Sequence, residues 1–400
     1  MPASGLRCIQ CDCRLSLNPI YECPKCGGIL EVYYDHAQLQ DKTQLPLSQS
    51  YEWMPIRRET AISLGEGNTS LIEAGQLAKR LGLRRLLLKC EFTNPTGSFK
   101  DRPIAIGVAK AVEFGYRKVV VASSGNAAAS VAAYAARAGL EAIILVPAST
   151  PGEKIMQTLA YGAKVIRVQG PYSNSFGLAK ELSQSGELYN LTTTFYNPYT
   201  VEGDKMVGYE IFEQMKESPD AIYVPIGAGP LLVGTYKGFV DYQQTDGKVS
   251  LPRMVGVQAE GNNPIVKAFL SGSTIVGSEP APNTIAGGIA DGLVGYTKDG
   301  AFTLDVIRKS NGFAIDVSDA RILEAKQWLA KDEGLFVEPS AAAAIAGVAK
   351  SLHEGQISSG DVVVAILTGH GLKDMNNLGP VEEAPIVDNS SEQLKKLLTI

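Results

Sequence analysis

Short, wholly apolar runs alternate along this chain with longer stretches of small or amphipathic residues, and that alternation constrains the fold more than any other feature. Val119-Val120-Val121-Ala122, Ala142-Ile143-Ile144-Leu145-Val146, Ala221-Ile222-Tyr223-Val224-Pro225, Met254-Val255-Gly256-Val257 and Val362-Val363-Val364-Ala365-Ile366-Leu367 read as strands with no polar face. Shorter strands are expected at 86–89, 165–168 and 188–191. A strand apolar on both sides must be covered on both sides, which means helices above and below a parallel sheet. The intervening residues supply those helices: 126–138 is rich in alanine, a helix is expected from Pro151, and 231–242, 319–330 and 340–352 have helical composition. The class is therefore α/β with parallel sheets, and no repeat of solenoid period is visible.

A formal charge of -5 with no basic stripe argues against a nucleic-acid partner. Every apolar run is broken well short of the ~20 residues a membrane span needs, so no membrane partner is expected. Met1-Pro2-Ala3-Ser4-Gly5 leads straight into cysteines rather than into a secretory signal, and the expectation is a cytoplasmic protein. Four hundred residues can bury a large core without staples.

Five of the six cysteines nevertheless fall in the first thirty residues: Cys8, Cys11, Cys13, Cys23 and Cys26. Cys8-x-x-Cys11 and Cys23-Pro24-Lys25-Cys26 have the paired-knuckle spacing of a zinc ribbon, and four thiolates at two tight turns suit tetrahedral zinc. A disulfide pair is disfavoured inside a cell, and a knuckle that has ceased to bind metal is the other alternative. Cys13 could substitute for a neighbour. Cys90 reads as a small buried apolar residue.

The chemistry centres on Asn94-Pro95-Thr96-Gly97-Ser98-Phe99-Lys100-Asp101-Arg102, between the strand at 86–89 and a helical stretch. Turn dipeptides bring Lys100 to the first turn of that helix. The positive end of a helix dipole disfavours an ammonium there, and a neutral amine is what a lysine needs to attack a carbonyl. A lone lysine is usually just solvated; the whole string is more specific. It resembles the cofactor-lysine motif of the second fold type of pyridoxal-phosphate enzymes, and its Lys-Asp-Arg ending resembles the threonine synthase family most.

The resemblance implies an enzyme that holds pyridoxal 5'-phosphate covalently on Lys100 and takes a small amino-acid substrate, with a tryptophan synthase β-like pair of parallel-sheet domains. It extends from Gly65-Glu66-Gly67-Asn68-Thr69 to Leu367-Thr368-Gly369-His370-Gly371-Leu372-Lys373-Asp374. Ser123-Ser124-Gly125-Asn126-Ala127 ends a strand and starts a helix, as an anion site or an ordinary N-cap would. The family likeness makes Ser123, Ser124, Gly125 and Ala127 the grip on the substrate carboxylate and Asn126 the partner of the cofactor 3-hydroxyl. Gly227-Ala228-Gly229-Pro230-Leu231 becomes the cofactor-phosphate cradle, with one donor removed by Pro230. Thr368 becomes the partner of the pyridine nitrogen. Val337-Glu338-Pro339-Ser340 resembles the family's Glu-Pro-Ser helix start and is expected to pack near the cofactor.

In domain terms the expectation is a cysteine module at 1–34, a connector at 35–60, a large domain at 61–103 and 206–380, a small substrate domain at 104–205, and a fraying tail at 381–400. A homodimer is expected. The activity implied is threonine synthesis from O-phosphohomoserine and water, with Lys100 moving protons. Three departures favour an alternative, a threonine/serine dehydratase-like lyase or a β- or γ-replacement enzyme. The glycine loop is of the dehydratase kind, Ala290-Asp291-Gly292 resembles a dehydratase segment, and Thr200 stands where a phosphate-clamping arginine is usual. Arg102, Lys154 or Lys205 is expected to compensate. A non-catalytic binding protein that kept the fold is the reading from another class, and intact Lys100, Asn126 and Thr368 argue against it.

Overall fold

The computed structural model describes residues 3–35, 46–245, 247, 249–377 and 384–399. Its strands are β1 (Ala3–Cys8), β2 (Arg14–Leu15), β3 (Leu30–Tyr34), β4 (Leu71–Glu73), β5 (Arg85–Lys89), β6 (Lys118–Ala122), β7 (Glu141–Pro147), β8 (Lys164–Val168), β9 (Tyr189–Asn190), β10 (Ala221–Pro225), β11 (Arg253–Ala259), β12 (Phe313–Val317) and β13 (Val362–Ile366). Its first helices are α1 (Gly75–Leu81), α2 (Asp101–Glu113), α3 (Asn126–Ala138), α4 (Gly152–Ala160), α5 (Tyr172–Ser183) and α6 (Thr200–Met215). Then follow α7 (Pro230–Thr245), α8 (Pro264–Leu270), α9 (Thr297–Lys309), α10 (Asp319–Glu333), α11 (Pro339–His353) and α12 (Ser391–Leu398).

Three sheets result. A six-stranded sheet has the order β12-β11-β10-β13-β5-β4, and a four-stranded sheet the order β8-β7-β6-β9. All pairings in both are parallel except β4 against β5. Every residue of β10 and β13 is buried, as strands apolar on both faces must be. β8 lies at an edge and buries none of its residues, with Lys164 and Arg167 exposed as charges on that edge strand.

The antiparallel edge strand β4 and the strand β12 escape a reading by apolar runs. β4 is three residues long, and Asp316 interrupts β12. In the tail, α12 buries no side chain, while 381–383 and 400 lie outside the described residues, as do 36–45 of the connector and 378–380.

The third sheet, β2-β1-β3, is antiparallel and belongs to the cysteine module. It shares an apolar core with the four-stranded body: Leu6, Leu30 and Val32 belong to one cluster with Ile104, Val108, Tyr189 and Tyr199. The module is therefore packed into the body rather than appended to it. Chain connections put every βα loop of interest at the carboxyl ends of the parallel strands, where an open α/β sheet presents its crevice.

Candidate active site

Lys100 is held by two neighbouring loops that are stitched together. The chain leaves β5, makes a short turn at Glu91–Thr93, and passes Gly97 at a φ of +85°, which a residue with a Cβ rarely adopts. Backbone bonds then join it to the end of β13. Phe92 N donates to Leu367 O (3.0 Å), Phe99 N to Thr368 O (3.0 Å), and His370 N to Gly97 O (2.9 Å). Lys100 thus caps α2 beside the buried Thr368.

The Lys100 amine donates to Thr193 Oγ1 at 2.9 Å and lies 4.6 Å from the centre of the Phe99 ring. Burial pulls its pKa below the usual lysine range, while the carboxyls of Asp204, Asp291 and Glu338 pull the other way. Asp204 is 1% exposed, and its Oδ1 has no protein partner. Burial pushes it up to about 8, with Lys100 opposing. Asp291 accepts from Tyr296 Oη (2.5 Å) and Leu293 N (3.1 Å), both on Oδ1, and burial raises it. Glu338 accepts the Asn126 amide on both oxygens at 3.1 Å, and burial raises it too.

Two loops face this cluster with free helix N-termini. Between β6 and α3, Ser123 Oγ accepts from Gly125 N at 3.3 Å, and the first turn of α3 aims its backbone N–H groups outward. Between β10 and α7, a Cβ on Gly227 would stand 2.7 Å from Asp291 Cβ, and Gly229 has a φ of +98° with Thr303 packed against it. Thr303 Oγ1 fixes the loop by donating to Ala228 O at 2.6 Å. Glycine is thus required at both positions, and Pro230 removes one donor from the cradle.

Two of the three cations expected to compensate for Thr200 are not free. Arg102 is 2% exposed and bound to Glu91 (2.6 Å) and Glu210 (2.7 Å). Lys205 is fully buried and bound to Asp241 (2.8 Å), Glu202 (3.0 Å) and the Trp53 carbonyl (2.9 Å). The α6 and α2 helices pack backbone to backbone here: a Cβ on Gly203 would stand 2.2 Å from the Arg102 carbonyl oxygen. Lys154, by contrast, is exposed at the start of α4, with its amine 3.8 Å from the Cβ position of Gly287.

Sequence reasoning misses Thr193, Asp204 and Asp291 as neighbours of Lys100. Thr193 sits in a Thr-Thr-Thr run with no turn or cap signal, and Asp204 falls in a helix whose sequence reads as ordinary. Asp291 carries a signal, the Ala-Asp-Gly segment, but nothing in it fixes what the carboxyl faces. Lys373 also joins the cleft, donating to Gln157 Oε1 of α4 at 2.8 Å.

Far from Lys100 in sequence, the Sγ atoms of Cys8, Cys11, Cys23 and Cys26 lie within 4.8 Å of one another, and Cys13 is not among them. Turns at Asp12 (φ 54°) and Gly27 (φ 69°) bring the pairs together. Tetrahedral zinc at about 2.3 Å from each sulfur places sulfurs about 3.8 Å apart, and this set fits.

A lysine at a helix start and two loops at helix N-termini, one of them a glycine cradle, all at one edge of parallel sheets, define a pyridoxal-phosphate enzyme of α/β architecture. The model of the family "Pyridoxal-phosphate dependent enzyme" matches residues 62–369, and the chain belongs to that family. Threonine synthase of Methanosarcina acetivorans is 38% identical over 98% of both chains, and that of Methanocaldococcus jannaschii is likewise 38% identical over 98% of both. In structure the chain is similar to maize serine racemase, with a TM-score of 0.66 at 24% identity over 83% of this chain and 92% of that one. That likeness speaks to the fold.

Proposed function

We propose that this chain is a threonine synthase, converting O-phosphohomoserine and water to threonine and phosphate. The observation that carries the reading is the Lys100 cluster, set in a chain matched to threonine synthases over 98% of its length.

The residues present fit pyridoxal phosphate: the glycine cradle would be filled by a Cβ, and the first turn of α7 offers backbone donors to a phosphate. Gly227, Ala228, Gly229, Pro230 and Leu231 would hold that phosphate, and Asn126, oriented by Glu338, would meet the 3-hydroxyl. Thr368 would offer the ring nitrogen a neutral hydroxyl. Bound there, the group supplies an electron sink for carbanion chemistry on an amino acid. Ser123, Ser124, Gly125 and Ala127 bind and orient the substrate carboxylate at the N-terminus of α3. Lys100 moves protons at the substrate's Cα, Cβ and Cγ, and burial, which lowers its pKa, favours the neutral amine that a base requires. Lys154 holds the leaving phosphate, since Arg102 and Lys205 are committed elsewhere.

Residues 104–205 form the small domain and 61–103 with 206–380 the large one. Cys8, Cys11, Cys23 and Cys26 hold one structural zinc, a site supported by the mutual reach of the four thiols. The protein works in the cytoplasm as a homodimer. No described helix is long and apolar enough to cross a membrane.

A second reading has one observation behind it. Asp291 places a carboxyl at the cradle wall, which suits a lyase acting on an unphosphorylated hydroxy amino acid. Incubation with O-phosphohomoserine or threonine, followed by assay of phosphate, threonine and keto acid, separates the two. Keto acid from threonine with no phosphate release from O-phosphohomoserine would establish the second reading.

A further inference from the structure

The chain returns from the four-stranded sheet to α6 through residues 189–199, and this crossover carries Thr193, the partner of Lys100. It is held from three sides. From the small body, Val120 O accepts from Leu191 N at 2.8 Å; from the large body, Asp299 Oδ2 accepts from Phe195 N at 3.1 Å. The third side is the cysteine module. β9 is an edge strand, and its Asn190 N–H, which an edge leaves open, donates to the Tyr21 hydroxyl at 2.8 Å. The Tyr21 ring lies flat on Tyr196, with 4.8 Å between centroids and 10° between planes. Tyr21 therefore grips the crossover on both sides of Thr193. Asn18 adds a carbonyl that accepts from Tyr199 Oη at 2.7 Å.

The next residue ties the bodies to each other. Glu22 pairs with Lys180 of α5 at 2.5 Å and, through its other oxygen, with Lys298 of α9 at 2.6 Å. Lys298 also donates to Gly27 O at 2.8 Å. Tyr21 and Glu22 lead directly into the 23–28 turn, which is closed by Cys23 N to Gly28 O (2.9 Å) and Gly27 N to Cys23 O (2.8 Å) and holds two of the four clustered thiols.

We infer that Tyr21 and Glu22 are positioning residues for the active site: anchored on the 23–28 turn, they fix the crossover and, through Thr193, the amine of Lys100. This rests on the reading of Lys100 as the reacting lysine. Misplacing a reacting group by about 1 Å costs about a hundredfold in rate, so a grip on the loop that orients it has leverage. Metal at the four thiols would stiffen the anchor.

The test uses the full chain with cofactor and zinc bound, as wild type, Tyr21→Phe, Tyr21→Ala, Glu22→Gln and, as a control inside the module, Arg7→Ala. Hydrogen exchange of the 189–199 peptide is measured together with kcat, KM and the pH midpoint of the cofactor's visible band. That midpoint reports the Lys100 nitrogen against Asp204, Asp291 and Glu338. Tyr21→Ala and Glu22→Gln are expected to speed exchange of the peptide about tenfold, move the midpoint by about half a unit, and lower kcat more than they raise KM. Tyr21→Phe keeps the ring stack and falls between; Arg7→Ala matches wild type. Chelation of the metal reproduces the exchange pattern. Should Tyr21→Ala fail to fold, Glu22→Gln decides, because it leaves the ring packing intact. Faster exchange with midpoint and kcat unmoved would make these residues a structural strap only and overturn the inference, as would unchanged exchange. Cofactor found on another lysine in the wild type would overturn the site reading as well, so the two failures are distinguishable.

Discussion

Lys100 and Arg102 stand two residues apart in one motif, yet one cation is sealed into a complete network and the other is not. Arg102 meets Glu91 and Glu210 on several nitrogens, and Lys89 completes the group through Glu210 at 2.7 Å. Burial alone would lower Arg102, but Glu210 and Glu91 outweigh it and hold it well above the ordinary range. Lys100 has a single hydroxyl, Thr193, and three carboxyls that face it without an ion pair. Both are near helix starts and both are packed in protein. The satisfied cluster fixes the position of the motif; the unsatisfied one leaves an amine that can change its bonding. Incomplete pairing is what separates the lysine proposed to react from the structural arginine.

The sharpest way to break this contrast is to remove each cation in turn. Lys100→Ala is expected to lose activity by at least ~10³-fold, in line with loss of a proton-transferring group, with thermal stability unchanged or raised. Arg102→Met reverses the pattern: leaving Glu91 and Glu210 without their partner costs about 3–5 kcal/mol, read as a lower midpoint in chemical denaturation. Equal loss of stability in the two variants would erase the distinction.

Lys154 tests where the phosphate is held. Lys154→Ala is expected to raise KM for O-phosphohomoserine by roughly 10- to 100-fold, the worth of one charge-assisted hydrogen bond, with little change for an unphosphorylated amino acid. A uniform change for both substrates would put the phosphate elsewhere.

Asp204 gives the most specific effect, one confined to a single pH window. Its folded pKa of about 8 lies above the unfolded value, so the folded state keeps a proton that the unfolded state has released. Between about pH 4 and pH 8 this group therefore lowers stability as pH rises. Asp204→Asn removes that slope, and its melting temperature should gain on wild type across that window by several degrees. A constant offset across the window would mean Asp204 is ionised in the fold.

Much of this arrangement is legible in the amino-acid sequence. The fully apolar strands β10 and β13 announce a parallel sheet, and the helix start at Asn126 follows from strand, turn and alanine-rich run in succession. Local strings single out Lys100, Asn126, Thr368 and the glycine loop, and each stands at the end of a parallel strand or the start of a helix. What is not legible depends on contacts between distant segments. Thr193 is 93 residues from Lys100, and the meeting depends on a crossover that only the packed sheets define. Arg102 and Lys205 look available in the sequence because nothing local shows that Glu210 and Asp241 already hold them.

The measurement that tests the central claim most directly is reduction of the holoenzyme with borohydride, followed by peptide mapping. The pyridoxyl group is expected on Lys100 alone. Recovery of the label on Lys89, Lys205 or Lys373 would contradict it, because the first two are paired and buried and the third is bound to Gln157.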